Sequence, residues 1–452
     1  MMTRRCLSII LAAGEGTRMQ SRLPKILHKI GGLSLIGHVI RAMPAAAGND
    51  MALIIAPGAA AVQIEAQKLA PKAQFFIQQQ RLGTAHAVLA AEDLLGKNYD
   101  DIVIAYGDTP LIRPQYIEKA RQKLAKGADI VVSGFYTEAP QGYGRLVEKA
   151  GRPVKIVEEK EATAREKKIK LCNGGFMALK AEHILPLLRA VGNKNSKGEY
   201  YLTDVVALAA ERGLEAQVLE MAAEDIVGVN TQAELAAAEA LWQSRKRQEI
   251  MAGGVSLQAP ETVYFAYDTA ISADVFIEPH VFFGTGVIIA AGAHIRAFSY
   301  IEGATIGKNA IIGPYARLRP LSRLADNVKI GNFCEIKQAN IAEGVKINHL
   351  AYMGDVEIGT DSNIGAGAIS CNYNGYNKEK ISIGAGAFIG SNSALVAPLS
   401  IGKGAYIASG SVITHNVDDE ALAFGRARQV NKPEGGKRLK ALLSLKKGQE
   451  NH

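Results

Sequence analysis

The chain has 452 residues, 48% of them hydrophobic and 21% charged, with a formal net charge of +8. That length exceeds what one hydrophobic core usually serves, so at least two globular domains are expected. No apolar run is long enough to span a bilayer, and the four widely spaced cysteines (Cys6, Cys172, Cys334, Cys371) form no CxxC pair. Zinc ribbons and disulfide frameworks are thereby excluded, and a reducing cytoplasm is expected.

Arg4 and Arg5 precede a short apolar run, with Glu15 and Arg18 standing where a signal-peptide cleavage region would fall. The run therefore reads as a first β-strand. It leads into "LAAGEGTRMQSRLPK" (11–25), a glycine-rich loop that lacks the Gly-Lys-Ser/Thr ending of a P-loop. "LSIILAAG", "MALIIAPG", "DIVIAYGD" and "DIVVSGFY" read as buried strands, with helical stretches such as "LIGHVIRAMPAAA" and "AAVQIEAQKLA" among them. Alternating strands and helices imply an α/β fold with a mostly parallel, Rossmann-like sheet covered on both faces. Ligands in such folds sit beyond the carboxyl ends of the strands, where the glycine-rich loop and "AYGDTP" both fall.

From Thr231 the pattern becomes one helix, "TQAELAAAEALWQSRKRQEIMAGG", stopped by Gly253-Gly254, and a domain boundary is expected near its end. Its bland role is a connector that packs Trp242 on a neighbour. Beyond Val263 apolar residues recur every six positions: Ile277, Phe283, Ile289, Ile295, Ile301, then after a slip Ile306, Ile312, Leu318, Leu324, Ile330, Ile336. The phase resumes at Ile341, Ile347, Met353, at Ile358, Ile364, and from Ile383 to Ile413. Neither 3.6 nor 2.0 accounts for a period of six, whereas coils of three short strands do. The expectation is a left-handed parallel β-helix of hexapeptide repeats, a prism roughly 35–40 Å long if coils stack about 4.8 Å apart. "CNYNGYNKEK" (371–380) breaks the phase and is expected as an ejected, functional loop. The tail "KRLKALLSLKKGQ" carries much of the excess charge and reads as a solvated, mobile end with no nucleic-acid or membrane partner.

The motifs "LAAGEGTRM…LPK", "LGTAHA", "YGDTPL", "GYGR", "VEEKEA", "NGG", "GEYYLTD" and "GVN" occur in the order found in nucleotide-sugar pyrophosphorylases. With "ARLRP", "NFCEIK", "HLAYMGD", "IGAGAISCNYNG" and "IGSN" following, nearly the whole chain resembles one family. That family is the bifunctional uridylyltransferase/acetyltransferase of UDP-N-acetylglucosamine synthesis. The resemblance implies acetyl-CoA-dependent acetylation of glucosamine 1-phosphate, then uridylyl transfer from UTP to the product. It implies a pyrophosphorylase domain over 1–230, a linker helix over 231–254, an acetyltransferase β-helix over 255–430 and a basic tail over 431–452. It further implies a homotrimer with acetyl sites shared between subunits.

Attack of a sugar phosphate on the α-phosphorus of UTP gathers negative charge, so positioning and neutralisation are most of the task. Gly14 and Gly16 let backbone N–H groups approach the triphosphate, Arg18 can fork onto its oxygens, and Lys25 supplies a mobile point charge. Asp108 suits a hard Mg²⁺ held by few protein ligands, and the resemblance pairs it with Asn230. By the same resemblance Leu11, Ala12, Ala13, Gly14, Gln78, Gly83 and Thr84 hold uracil and ribose, and Tyr106 and Gly107 line the site. Gly144, Glu158 and Asn173 hold the acetylated sugar. Gln78 offers donor and acceptor from one amide, as uracil requires. Arg81 stands where the family often has Gln, so the resemblance does not carry a nucleobase contact over to that position.

In the second half His349 is the expected base, because a free imidazole titrates near neutrality. The resemblance makes Glu335 its orienting partner and Arg319, Lys337, Tyr352 and Asn363 the sugar-phosphate clamp. Asn372 and Tyr373 bridge sugar and acetyl donor, while Ala366, Ser391, Ser409 and Arg426 match coenzyme A contacts. Ser409 replaces a commoner Ala, and Leu321 stands where "LRPG" is usual. Two other readings remain: a pyrophosphorylase whose β-helix only oligomerises, and a catalytically dead scaffold of the translation-factor type.

Overall fold

The computed structural model describes residues 4–46 and 48–449, with side chains to residue 445. By contacts the chain divides into two compact units, Met1–Glu249 with Tyr264–Tyr267, and Ile250–Val263 with Asp268–His452.

In the first unit the run after Arg5 is the strand Cys6–Ala12, buried at all but one position. Leu7 and Ile9 enter one core and Cys6 and Ile10 the other, so the continuous apolar run reflects a sheet covered on both faces. Its neighbours Asp50–Ile55 and Asp101–Tyr106 run parallel to it. The full order is Ala216–Glu220, Ile130–Tyr136, Leu171–Lys180, Asp101–Tyr106, Cys6–Ala12, Asp50–Ile55, Gln74–Ile77. Only Leu171–Lys180 on this path opposes its neighbours, in agreement with a mostly parallel sheet. A hairpin, Arg145–Lys149 with Arg152–Val157, branches from that strand where Arg145 faces Cys172.

The helix expected from Leu35 onward stops at Ala42, and Met43 is extended. Pro44 explains the stop, since its ring disfavours helical backbone in the residue before it. Ala47, the last residue of that expected stretch, lies outside the described residues. The long helix spans Gln232–Ala252. At its start the Thr231 hydroxyl accepts from Glu234 N (3.2 Å) and the Glu234 carboxylate accepts from Thr231 N (2.9 Å), a reciprocal capping box. Rather than bridging free of either unit, this helix packs into the first. Glu239 accepts from Gly31 N at 2.9 Å, Gln243 exchanges hydrogen bonds with the Phe265 backbone, and Trp242 meets the His38 ring edge-on at 6.0 Å.

In the second unit three parallel sheets of ten, eight and eight short strands wind as coils. The repeating apolar residues from Ile277 to Ile413 are all buried, so the six-residue period is the inward-facing position of each strand. A coil passes from Lys346–His349 in the first sheet to Tyr352–Gly354 in the second and Val356–Ile358 in the third. The phase slips between Ile301 and Ile306, Ile336 and Ile341, and Met353 and Ile358 all fall at the corner joining the second and third sheets. The loop between Cys371 and Ile381 leaves from that same corner. Ser370 takes the inward slot just before it, its hydroxyl accepting from Gly354 N at 2.7 Å. Leu321, also on that corner, holds the left-handed backbone (φ 66°) that a glycine would adopt without strain.

The tail contains a helix, Gly435–Gln449, along which Leu439, Leu442, Leu443 and Leu445 are exposed. The expected solvated end is therefore helical as far as it is described, and its last three residues, 450–452, lie outside the described residues. Among the described residues no helix is long and apolar enough to cross a membrane.

Candidate active sites

Strand register builds the first site. Leu11 pairs with Tyr106, so the loops following both strands emerge side by side, tied by Gly107 N donating to Leu11 O at 2.9 Å. Gly16 has φ +63°, and a Cβ there would lie 2.5 Å from the Lys25 Cβ. Only glycine lets the Lys25 stem lie against the loop. From there the Lys25 ammonium contacts the Asp108 carboxylate and lies 3.0 Å from Asn230 Oδ1. A cavity of about 280 Å³ beside them is lined by Leu11–Gly14, Gln78, Gly83, Thr84 and Tyr106. Arg18 is exposed on the short turn Thr17–Met19 and does not line that cavity.

Gln78 is buried, and its Nε2 donates to Gly83 O at 3.0 Å. A Cβ on Gly83 would meet Tyr200 O at 2.4 Å, and Thr84 Oγ1 accepts from Leu202 N at 2.9 Å. "LGTAHA" and "GEYYLTD" therefore close on each other to form one wall. Arg81 donates from Nε to Ala13 O at 3.0 Å and pairs with Glu15, so it fastens the glycine-rich loop instead of standing as a base-reading amide. Gly144, Glu158 and Asn173 meet where the hairpin branches from Leu171–Lys180: Asn173 N donates to Gly144 O at 2.8 Å, and a Cβ on Gly144 would lie 3.5 Å from Glu158 Oε1. Burial raises the Glu158 carboxyl above its ordinary range, opposed by a hydrogen bond from Thr203. Burial also raises the Tyr106 hydroxyl, reinforced by the charges of Glu158 and Asp108. Tyr106 lines the same cavity as Lys25 and Asp108.

Asp108 and Asn230 present two oxygens to a single cationic nitrogen, a donor pair that fits a small hard cation such as Mg²⁺. Among the described residues no group of three or more His, Cys, Asp or Glu could hold a metal by itself.

The second unit collects its predicted residues at two corners. At the corner between the first and second sheets His349 ends its strand. Gly367 N donates to His349 O, Asn392 N to Ala366 O and Gly410 N to Ser391 O, at 3.2, 2.8 and 2.8 Å. These bonds carry a column of His349, Ala366, Ser391 and Ser409 through successive coils. A Cβ on Gly410 would lie 3.9 Å from Arg426 Cδ, which sets Arg426 beside the top of the column. Cβ atoms on Gly365 or Gly390 would meet the next coil's backbone at 2.6 and 2.5 Å, so only glycine fits at those steps. Below His349 the same corner is aromatic: His280, Phe298, Tyr315 and Phe333 stack with centroids 4.9, 4.9 and 5.1 Å apart.

At the corner between the second and third sheets stand Arg319, Lys337, Tyr352 and Asn372. Asn372 Nδ2 donates to Asp355 and lies 3.4 Å from Tyr352 Oη. Lys378, from the ejected loop, presses the Lys337 ammonium below its ordinary range, with desolvation and Arg319 adding to this and Asp355 opposing it. Tyr373 is exposed on that loop and donates to Gly375 O at 2.6 Å, while Asn363 lies on the first sheet between Lys346 and Phe388. In one chain, His349 and the Lys337 cluster therefore occupy opposite edges of the second sheet.

Glu335 does not touch His349. It accepts from Arg319 at 2.9 Å and pairs with Arg317 at 3.9 Å, because two guanidinium groups on its own face compete for it. The His349 partner is Asn332, whose Oδ1 lies 2.7 Å from Nδ1. Asn332, Asp355 and Lys378 were not singled out from sequence. For Asn332 a signal existed, since matching Ile330 to Ile347 sets Asn332 opposite His349.

The family described as MobA-like NTP transferase domain matches residues 8–194, and six bacterial transferase hexapeptide repeats match residues 380–415. The chain is 56% identical over 441 residues to the "Bifunctional protein GlmU" of Bartonella quintana (strain Toulouse), covering 98% of both chains. It is 58% identical over 432 residues to the protein of that name from Brucella suis biovar 1 (strain 1330), covering 96% of this chain and 95% of the other. The chain belongs to the GlmU family. It carries both a nucleotidyltransferase unit and a hexapeptide acyltransferase unit, and is a bifunctional transferase of UDP-N-acetylglucosamine synthesis.

Proposed function

We propose that the second unit acetylates glucosamine 1-phosphate with acetyl-CoA and that the first unit then uridylylates the product with UTP. The observation that carries the acetyl half is the change at His349, where the corner passes from stacked aromatics to a column of glycine, alanine and serine. Such a column suits the extended pantetheine arm of coenzyme A, with Ala366, Ser391, Ser409 and Arg426 along it and the thioester at His349. The 2-amine attacks the thioester carbon, a C–N bond forms as the C–S bond breaks, and His349 takes the amine proton while coenzyme A leaves as its thiol. Arg319, Lys337 and Lys378 crowd cations that the sugar phosphate relieves, beside Tyr352 and Asn372. Tyr373 and Asn363 border the sugar and donor.

Because the amine base and the phosphate clamp lie on opposite edges of one sheet, a complete site needs a neighbouring chain. A homotrimer, in which one chain's His349 column faces the next chain's Lys337 corner, meets that need.

In the first unit Gln78, Gly83 and Thr84 with Leu11–Gly14 cradle the uridine, and Gly144, Glu158 and Asn173 hold the acetylated sugar. The sugar-phosphate oxygen attacks the α-phosphorus and the bond to the β-phosphate breaks, releasing pyrophosphate. Lys25 and Arg18 neutralise the phosphates, with Tyr106 and Gly107 lining the space between. Asp108 and Asn230 would hold Mg²⁺, which when bound adds positive charge at the phosphates. One assay tests both halves: the protein with glucosamine 1-phosphate, acetyl-CoA, UTP and Mg²⁺, following free thiol and pyrophosphate separately. Thiol release without pyrophosphate release, or the reverse, would remove one half of the proposal.

A further inference from the structure

We infer that Asn332 is the positioning residue for the His349 imidazole, fixing both its tautomer and its orientation for amine deprotonation. The inference rests on the reading of His349 as the base. Asn332 and His349 are paired in adjacent parallel strands, so their side chains leave the same face one coil apart. Asn332 Oδ1 lies 2.7 Å from His349 Nδ1. A carboxamide oxygen only accepts, so Nδ1 carries the proton and Nε2 is left with its lone pair free for the substrate.

The backbone around the pair is held from both sides. Leu350 N donates to Asn332 O at 3.0 Å, and Gly367 N donates to His349 O at 3.2 Å. Before Asn332, a Cβ on Gly331 would fall 1.9 Å from Asn348 O, a contact so close that glycine is required. The two coils therefore approach each other tightly just where the two side chains meet. Glu335, the carboxylate expected from sequence to orient His349, is engaged by Arg319 and Arg317.

A neutral acceptor has a consequence that a carboxylate would not. It fixes the tautomer while stabilising the imidazolium only weakly. The proton taken from the amine at Nε2 is then readily returned to the sulfur of the departing coenzyme A, and the ring ends neutral with Nδ1–H still directed at Asn332. Unassisted imidazole in water favours the proton on Nε2, so loss of Asn332 would leave most rings in the unproductive form.

The test compares full-length wild type, Asn332→Ala, Asn332→Asp and His349→Ala, with the melting temperature of the β-helix unit measured on the same preparations as a folding control. Asn332→Ala is expected to lower acetyl-transfer kcat by about 10–100-fold, the usual cost of losing such an orienting partner, with KM for both substrates within about threefold. Asn332→Asp restores an acceptor and most of kcat. In ¹⁵N-histidine-labelled protein, ring signals assigned by difference against His349→Ala shift toward the Nε2–H pattern in Asn332→Ala only. Unchanged kcat in Asn332→Ala beside an inactive His349→Ala overturns the role of Asn332 alone. A loss that Asn332→Asp does not restore, with ring signals unmoved, assigns Asn332 to packing and overturns it too. Wild-type acetylation by His349→Ala overturns the reading of the base, and the inference with it.

Discussion

The Lys25 ammonium meets the Asp108 carboxylate at the mouth of the glycine-rich loop, and Asn230 Oδ1 lies 3.0 Å from the same nitrogen. Among the described residues Asp108 is the carboxylate paired with the Lys25 ammonium, and it balances Lys25 before any phosphate arrives. Asp108→Ala should lower pyrophosphate release by about 10²–10³-fold, the scale of losing one preorganised electrostatic group. Acetyl transfer should stay at the wild-type rate, because Asp108 and the residues of the His349 column belong to different compact units. Equal loss of both activities in folded protein would refute the separation of the sites.

Glu158 offers a pH test. Burial raises its carboxyl, so the folded state holds this proton at pH values where the unfolded chain has released it. Stability from this group is therefore present at and below the ordinary glutamate value and is lost as pH rises through the raised one. Glu158→Gln should remove that loss, so its melting temperature relative to wild type should rise between pH 4.5 and neutrality. The KM for N-acetylglucosamine 1-phosphate should rise about 10–100-fold, since a hydrogen bond to a charged group contributes about 1.5–3 kcal/mol. A melting-temperature difference that is flat across this range would contradict the assignment.

Complementation tests the shared site. His349 and Lys337 lie on opposite edges of one sheet, whereas His349 and the residues leading to Arg426 share one column. Co-refolded His349→Ala and Lys337→Met subunits should recover about a quarter of wild-type acetylation, the fraction of interfaces pairing two intact edges in a random trimer. His349→Ala with Arg426→Ala should recover little. No recovery in the first mixture, with trimers confirmed by light scattering, would place the whole site within one chain.

Leu321 holds φ 66° with its side chain 62% exposed. The left-handed conformation costs an L-residue about 1–2 kcal/mol, which the greater freedom of an unfolded glycine only partly offsets. Leu321→Gly should therefore stabilise the protein by about 0.5–1 kcal/mol, read as an increased denaturant midpoint with unchanged m-value. Destabilisation would mean that Leu321 makes contacts which outweigh its backbone strain.

Much of this was legible because burial enforces it. The six-residue phase survives since most inward slots must be apolar, Ser370 apart, and the strand after Arg5 is apolar but for Ser8 since both faces are covered. What escaped was set by competition or by long register. Glu335 looked like the partner of His349, but Arg319 and Arg317 claim it. Asn332 lies 17 residues before His349, one coil away, where adjacency in sequence gives no hint. Arg81 was recognised as a departure, yet its hydrogen bond to the Ala13 carbonyl depends on how two loops meet. The helix from Gln232 reads as a connector that packs Trp242 on a neighbour, and Trp242 does meet His38; the bond from Gln243 to the Phe265 carbonyl depends on where the chain returns.

The three phase slips named above, and the ejected loop 371–380, all fall at the corner between the second and third sheets. That edge works as an expansion joint. Residues can be added or dropped there without re-phasing the strands above, because the neighbouring sheets restart in register on the next coil. The His349 edge has no such slack: its carbonyl-to-amide bonds run straight from coil to coil, and an added residue would rotate everything above it out of line. Variation in loop length is therefore confined to the edge that carries the Lys337 cluster, while the edge that carries His349 is bound to constant spacing.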